Sequence, residues 1–205
     1  MGIITEISSQ KNRKRVNIFV DGEFVSGLSF ETAVKHGLKK DLVIDEKRLQ
    51  SIIEESEIAS AFANGLDIVS ISNKTTKELK QKLILKGFSE KVVESAILKL
   101  KEYKYVDDLA YAKSFIKTYK GKSKREIENR LRLKGISNDD LTEVLGLLTE
   151  ESEFDGGMDY ARKYMHRKVF DEKTKNNLFA GLARKGYSLD IIYSVINEIN
   201  KEKQE

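Results

Sequence analysis

Apolar residues recur at helical spacing over most of the chain, and the recurrence is organised by a motif present three times. The copies are Leu83-Ile84-Leu85-Lys86-Gly87-Phe88-Ser89, Leu131-Arg132-Leu133-Lys134-Gly135-Ile136-Ser137 and Leu182-Ala183-Arg184-Lys185-Gly186-Tyr187-Ser188. Each reads as the end of one helix and the start of the next. The glycine supplies a left-handed residue that closes the first helix, and the apolar residue after it folds back on the leucine as a Schellman ending requires. The serine then caps the following helix. The glycines stand at 87, 135 and 186, so 48 and then 51 residues apart, a period at which each repeat is one supersecondary unit that stacks on its neighbours.

The other columns agree. Thr75, Ser123 and Thr174 stand eight residues before the aligned leucines as N-cap types, and Glu78 and Glu126 follow the first two at capping-box spacing. Leu79, Ile127 and Leu178 stand four before the leucines and give the middle helix its apolar stripe. Val92/Val93/Ala96/Ile97, Leu141/Val144/Leu145 and Ile191/Ile192/Val195/Ile196 form the face of a third helix. Tyr111-Ala112 with Phe115 matches Tyr160-Ala161 with Tyr164 as a first helix, and Ala61-Phe62 to Leu66 holds that place in the first copy. Gly135, in the aligned column, is expected to tolerate a β-branched replacement less well than Gly121.

The period changes in the first 45 residues. Ile3 to Ile7 and Val16 to Val20 are short β-favouring runs, and Asp21-Gly22 between Val20 and Glu23 is a strong hairpin signal. Ser29 caps a short helix closed by Gly37, and Asp45 caps another beginning at Glu46. A two- or three-stranded sheet is weak alone and must pack on those helices. The expected fold is therefore mainly α: a separable α+β module over 1–55, then three-helix repeats over 56–106, 107–153 and 154–205, stacked in an elongated, curved array.

Composition narrows the function classes. The 205 residues contain no Cys, which removes disulfides and Cys-based metal sites, and no Pro, which leaves helix ends to Gly, Ser, Thr, Asn and Asp. No signal pattern and no run near membrane-spanning length is present, so a soluble cytoplasmic protein is expected. Residues 1–73 carry 9 Lys/Arg against 11 Asp/Glu, residues 74–145 carry 18 against 11, and residues 146–205 carry 10 against 11. The surplus is central and densest from Lys113 to Lys134. Lys117, Lys120, Lys122, Lys124, Arg125, Arg130, Arg132 and Lys134 are the candidate residues for contact with a polyanion or an acidic protein surface.

Catalytic readings fare less well. Asp107-Asp108 stands at a helix start, where carboxylates cap. His36 and His166 lie in different domains without a ligand cluster. Gly121-Lys122-Ser123 echoes a phosphate-binding loop, but Ile116 stands where the first glycine is needed. Tyr111, Phe115 and Tyr119 recur every fourth residue, and Tyr111 and Phe115 are read as core rather than as stacking platforms. No cofactor, metal or enzymatic activity is expected.

The motif ending in Leu-x-x-Lys-Gly, and above all Tyr105-Val106-Asp107-Asp108-x-x-Tyr111-Ala112 with Gly121 and Leu131 to Gly135 downstream, resembles the RecX family, regulatory proteins of the RecA recombinase. The resemblance covers residues 58–198 and is looser in the third repeat, where Phe154-Asp155-Gly156-Gly157 replaces the Tyr-x-Asp-Asp pattern. It implies a modulator that binds along the RecA–DNA filament and restrains its growth, ATP hydrolysis and strand exchange, in recombination, DNA repair and the SOS response. A monomer that touches single- or double-stranded DNA without sequence specificity fits this reading. The alternative is a DNA-binding protein of helix-turn-helix-like repeats. Against it, the third helices present Glu90, Lys91, Glu94, Asn138, Asp139, Thr142 and Glu143, which suit base edges poorly.

Overall fold

A computed structural model describes residues 1–10, 14–119 and 121–204. The fold is mainly helical, with a small antiparallel sheet at the N-terminus, and the chain divides into two compact units, Met1–Val106 and Asp107–Glu205.

In the first unit, strands β1 (Gly2–Ser9), β2 (Arg15–Val20), β3 (Glu23–Ser29) and β4 (Val43–Ile44) form one antiparallel sheet in the order β3-β2-β1-β4. The sheet is one strand larger than the sequence suggests, because the two residues of β4 add to the free edge of β1. Asp21 and Gly22 make the β2–β3 turn with φ of 51° and 87°, the double positive φ of a type I′ turn. Alternation puts Ile4, Val16, Ile18 and Leu28 inward, and helix α1 (Phe30–Lys35), capped by Ser29, adds Ala33 to the same core.

Helix α2 (Glu46–Ile71) runs straight through the module boundary expected at residue 55. Asp45 caps it, and the sequence up to Leu66 offers no proline and no glycine before Gly65, so nothing stops the helix between the two segments read as separate. Its first half buries Leu49 and Ile52 under the sheet, and its second half buries Ala61 against Val92 and Ala96. Glu55 itself is tied back to α1 by Lys35 at 2.5 Å and His36 at 2.9 Å, and the Lys35 bond in particular holds its carboxyl below the usual range. The sheet and the first three-helix group thus share one helix.

Helices α3 (Thr76–Leu85) and α4 (Glu90–Glu102) complete the first unit, and their core is Leu79, Leu83, Val93, Ile97, Leu100 and Val106. The second unit holds α5 (Asp108–Thr118), α6 (Lys124–Leu133) and α7 (Asn138–Leu145), then α8 (Glu150–Met165), α9 (Glu172–Arg184) and α10 (Leu189–Glu202). Helix α8 covers the boundary expected between 153 and 154; its cap is Thr149.

The three motifs close α3, α6 and α9 alike. Gly87, Gly135 and Gly186 have φ of 94°, 84° and 87°. Phe88, Ile136 and Tyr187 donate their N–H to the carbonyls of Leu83, Leu131 and Leu182 at 3.4, 3.1 and 3.3 Å. The glycine N–H groups reach Ile84, Arg132 and Ala183 at 2.8, 3.0 and 2.9 Å, completing the Schellman pair of bonds. Helix α4 ends in the same pair of bonds, but Lys104 holds the left-handed position at φ 59°.

The capping columns hold in part. Thr75 and Glu78 form the expected reciprocal box. Ser123 accepts from the Glu126 N–H, while the Glu126 carboxylate turns to Arg130. In the third repeat Asp171, not Thr174, is the cap: its Oδ1 accepts the Thr174 N–H at 2.7 Å, which starts α9 three residues early behind an acidic first turn. Ser137 and Ser188 cap α7 and α10, but Ser89 makes no side-chain cap bond on α4.

Gly121 corrects the glycine expectation. It too is left-handed, at φ 78°, and its backbone lies against Gly156 of α8 so closely that a Cβ on Gly156 would stand 2.0 Å from the Gly121 carbonyl oxygen. Phe154-Asp155-Gly156-Gly157, the segment that departs from the aspartate pattern, is where the second and third helical groups meet. Gly156→Ala is expected to cost about 3 kcal/mol or more, the upper range of overpacking. Gly87→Ala, with open space around its Cβ position, should cost only about 1 kcal/mol of conformational strain. Thermal melts of the two variants check the order.

Candidate functional site

The basic stretch occupies the end of α5, the α5–α6 turn and α6. Helix α6 buries Ile127 and Leu131 against Ala112, Leu141 and Val144, which leaves its other faces to polar residues and to the exposed Leu133. Tyr111 and Phe115 of the preceding helix and Tyr119 at its C-cap are half-buried at the rim of that core rather than inside it. Their rings stack in succession, with centroids 6.3 and 4.1 Å apart. The ladder carries cations: Arg130 lies 5.1 Å from the Tyr119 ring centre and Lys134 lies 5.9 Å from that of Tyr111.

The candidate cations do not form one patch. Lys117 lines a cavity of about 790 Å³ shared with Lys113, Asp155 and Asp159. Arg132 is held by Glu128 at 2.8 Å and by Asn138 at 2.6 Å. Lys124 is exposed at the start of α6, where its N–H donates to Glu153 at 2.7 Å. Lys122 is half-buried, and Lys120 lies outside the described residues.

Arg125 and Arg130 come together instead with two residues of the third motif. A groove of about 590 Å³ runs between α6 and the turn that ends α9, lined by Arg125, Asn129, Arg130 and Leu133 on one side and Arg184 and Lys185 on the other. Sequence reasoning missed Arg184 and Lys185, because the charge tally of the last 60 residues is −1 and hides them. The motif alignment carried the signal: Arg184-Lys185-Gly186 stands where Leu133-Lys134-Gly135 stands in the second copy.

Three polar contacts hold the groove's walls. The Ser123 hydroxyl, fully buried, caps α6 and at the same time donates to the Lys185 carbonyl at 2.5 Å, joining the N-terminus of α6 to the C-terminus of α9. The Tyr187 hydroxyl donates to the Gly121 carbonyl at 2.8 Å. Glu153 accepts the Lys124 N–H beside them.

Asp107 caps α5 by accepting the Ala110 N–H at 2.8 Å. Among the described residues no group of three or more His, Asp or Glu could hold a metal, and no helix is long and apolar enough to cross a membrane.

Comparison with known proteins reads the whole chain. Family models match the regulatory protein RecX N-terminal domain over residues 2–45, the RecX first three-helix domain over 61–100 and the RecX second three-helix domain over 107–145. The regulatory protein RecX of Clostridium perfringens (strain 13 / Type A) is 35% identical, over 99% of this chain and 99% of its own. The chain belongs to the RecX family. The RecX protein of Bacillus subtilis (strain 168) is 31% identical over 100% of this chain and 80% of its own length. Among solved structures, a crystal structure of regulatory protein RecX superposes with a TM-score of 0.75 at 27% identity, covering 96% of this chain and 100% of that one. RecX from Lactobacillus salivarius gives 0.64 at 27% identity over 70% of this chain and 97% of that one. Residues 146–205 lie outside the three matched domains, yet they supply half of the groove.

Burial raises the Tyr187 hydroxyl from its ordinary value of 10.0 to about 12. A folded-state value above the unfolded one stabilises fully below pH 10, and the gain is lost as pH rises through about 12. Tyr187→Phe is expected to cost about 1 kcal/mol at neutral pH through the lost bond to Gly121. It should also flatten the fall in stability between pH 10 and 12, which urea melts across that range measure.

Proposed function

We propose that the protein is a regulator without catalytic chemistry that binds the RecA–DNA filament and restrains its growth, ATP hydrolysis and strand exchange. Membership of a family named for regulation supports the class. The observation that carries the contact site is the convergence of Arg125 and Arg130 with Arg184 and Lys185 along one groove. Such a surface suits a filament that presents phosphates and acidic side chains together. On this reading the protein works in the cytoplasm as a monomer, needs no cofactor, and touches DNA only through its backbone.

The same cations also support the second reading, direct action on nucleic acid by helix-turn-helix-like repeats. The third helices weigh against sequence readout. Glu94 on α4 is paired with Lys80 at 2.9 Å, Glu143 on α7 with Lys113 at 2.6 Å, and Asn138 is held by Arg132.

Replacing Arg125 and Arg184 together by Glu should leave the helical signal intact, since exposed substitutions shift stability by about ±0.5 kcal/mol each. Inhibition of recombinase ATPase and strand exchange should fall sharply. If each charge meets a phosphate, the log-log salt slope of binding should shrink by up to ~0.9 per residue removed. Inhibition equal to the parent's at two salt concentrations would remove the site.

A further inference from the structure

The groove between α6 and the α9–α10 turn carries a feature that charge does not account for. Leu133, in the last turn of α6, is 76% exposed among the cations that line it. The aligned residue of the first copy, Leu85 in the last turn of α3, is 86% exposed beside Lys82 and Lys86. An aliphatic side chain gains nothing from a phosphate, whereas a protein interface centres on apolar anchors ringed by charge.

Spacing places the elements of a docking face together. Arg125, Asn129 and Leu133 form one i, i+4 row and Glu126 and Arg130 the row beside it, so they share one side of α6 and all line the groove. Ala183 continues the apolar strip on the facing wall. Arg130 is pre-positioned, with its Nη2 on Glu126 at 2.8 Å and its guanidinium over Tyr119. Arg125 and Arg184 make no ion pair among the described residues, and both are exposed. Arginine forks in that state are suited to bidentate binding of carboxylates.

We propose that this groove docks an acidic, leucine-bearing amphipathic segment of a partner protein. One apolar side chain of the segment seats against Leu133 and Ala183, and its carboxylates are taken by Arg125 and Arg184. The inference rests on the regulator reading in taking a protein as the partner, and it names the chemistry by which that protein is recognised.

The test uses the full chain and three fluorescein-labelled probes: a helical peptide with Leu at every third and fourth position among Glu residues, the same peptide with Ser for each Leu, and a 20-nucleotide oligo-dT. Anisotropy should show the Leu peptide bound about tenfold more tightly than the Ser peptide, the effect of one well-seated apolar anchor. Leu133→Ser should remove most of that preference and leave Ser-peptide binding unchanged. Arg184→Glu should weaken both peptides. Both positions are exposed, and circular dichroism checks that the variants fold. Equal binding of the two peptides, binding insensitive to Leu133, or no peptide binding at all would overturn the proposal. Tighter binding of oligo-dT that depends on Arg184 but not on Leu133 would also overturn it and make the groove a nucleic-acid track. A parallel assay of recombinase ATPase separates the two readings. A chain that leaves the ATPase untouched fails as a regulator whatever the peptides do, and a chain that inhibits without discriminating between the peptides fails only in the docking.

Discussion

A backbone turn that only glycine adopts without strain closes the middle helix of each repeat, and most of the helical architecture depends on it. The left-handed residues at 87, 135 and 186 reverse the chain within two residues, so the next apolar side chain is delivered back onto the leucine of the helix just ended. Leu83 with Phe88, Leu131 with Ile136 and Leu182 with Tyr187 lie in the cores that result. In two of the three turns the following serine caps the next helix, and the aligned leucines and glycines fix the angle at which the two helices leave each other. The cap on α4 shows that the geometry outranks the residue. Lys104 adopts the same left-handed conformation at some cost, because Leu100 and Tyr105 still complete the bonds.

Much of this was legible because it is local. Schellman signals, the Asp21-Gly22 turn and the caps at Ser29, Asp45, Thr75 and Asp107 are all decided by residues within five positions of one another. What misled was non-local or was decided by competition. Thr174 is a good cap type, but Asp171 offers a carboxylate three residues earlier and wins. The module boundary expected near residue 55 rested on a change of pattern, and α2, with no stop signal there, spans it with its first half in one core and its second half in another. The role of Gly121 could not be read from its own surroundings, because its partner, Gly156, lies 35 residues away.

The candidate site divides along the same line. The cations of α6 stand in one stretch of sequence and were visible as charge density. Their sorting was not: Arg132 is engaged by Glu128 and Asn138, and Lys117 faces the cavity with Asp155 and Asp159. Arg125 and Arg130 gain two neighbours, Arg184 and Lys185, from the third motif. That convergence depends on the buried Ser123 hydroxyl, which serves one helix as a cap and the other as a donor to its last turn. A single polar atom therefore sets both the start of α6 and the position of Lys185 on the opposite wall.

Helix α2 has a mechanical consequence. Its 26 residues make a rod of about 39 Å, and its two ends are embedded in different cores, the sheet at one end and the α3–α4 pair at the other. A rod fixed in this way cannot rotate at one end without turning the other, since Leu49 and Ile52 share a backbone with Ala61 and Gly65, and a Cβ on Gly65 would stand 2.6 Å from a Leu100 methyl. A rotation of the N-terminal sheet is therefore carried along α2 into the helices packed on its far end.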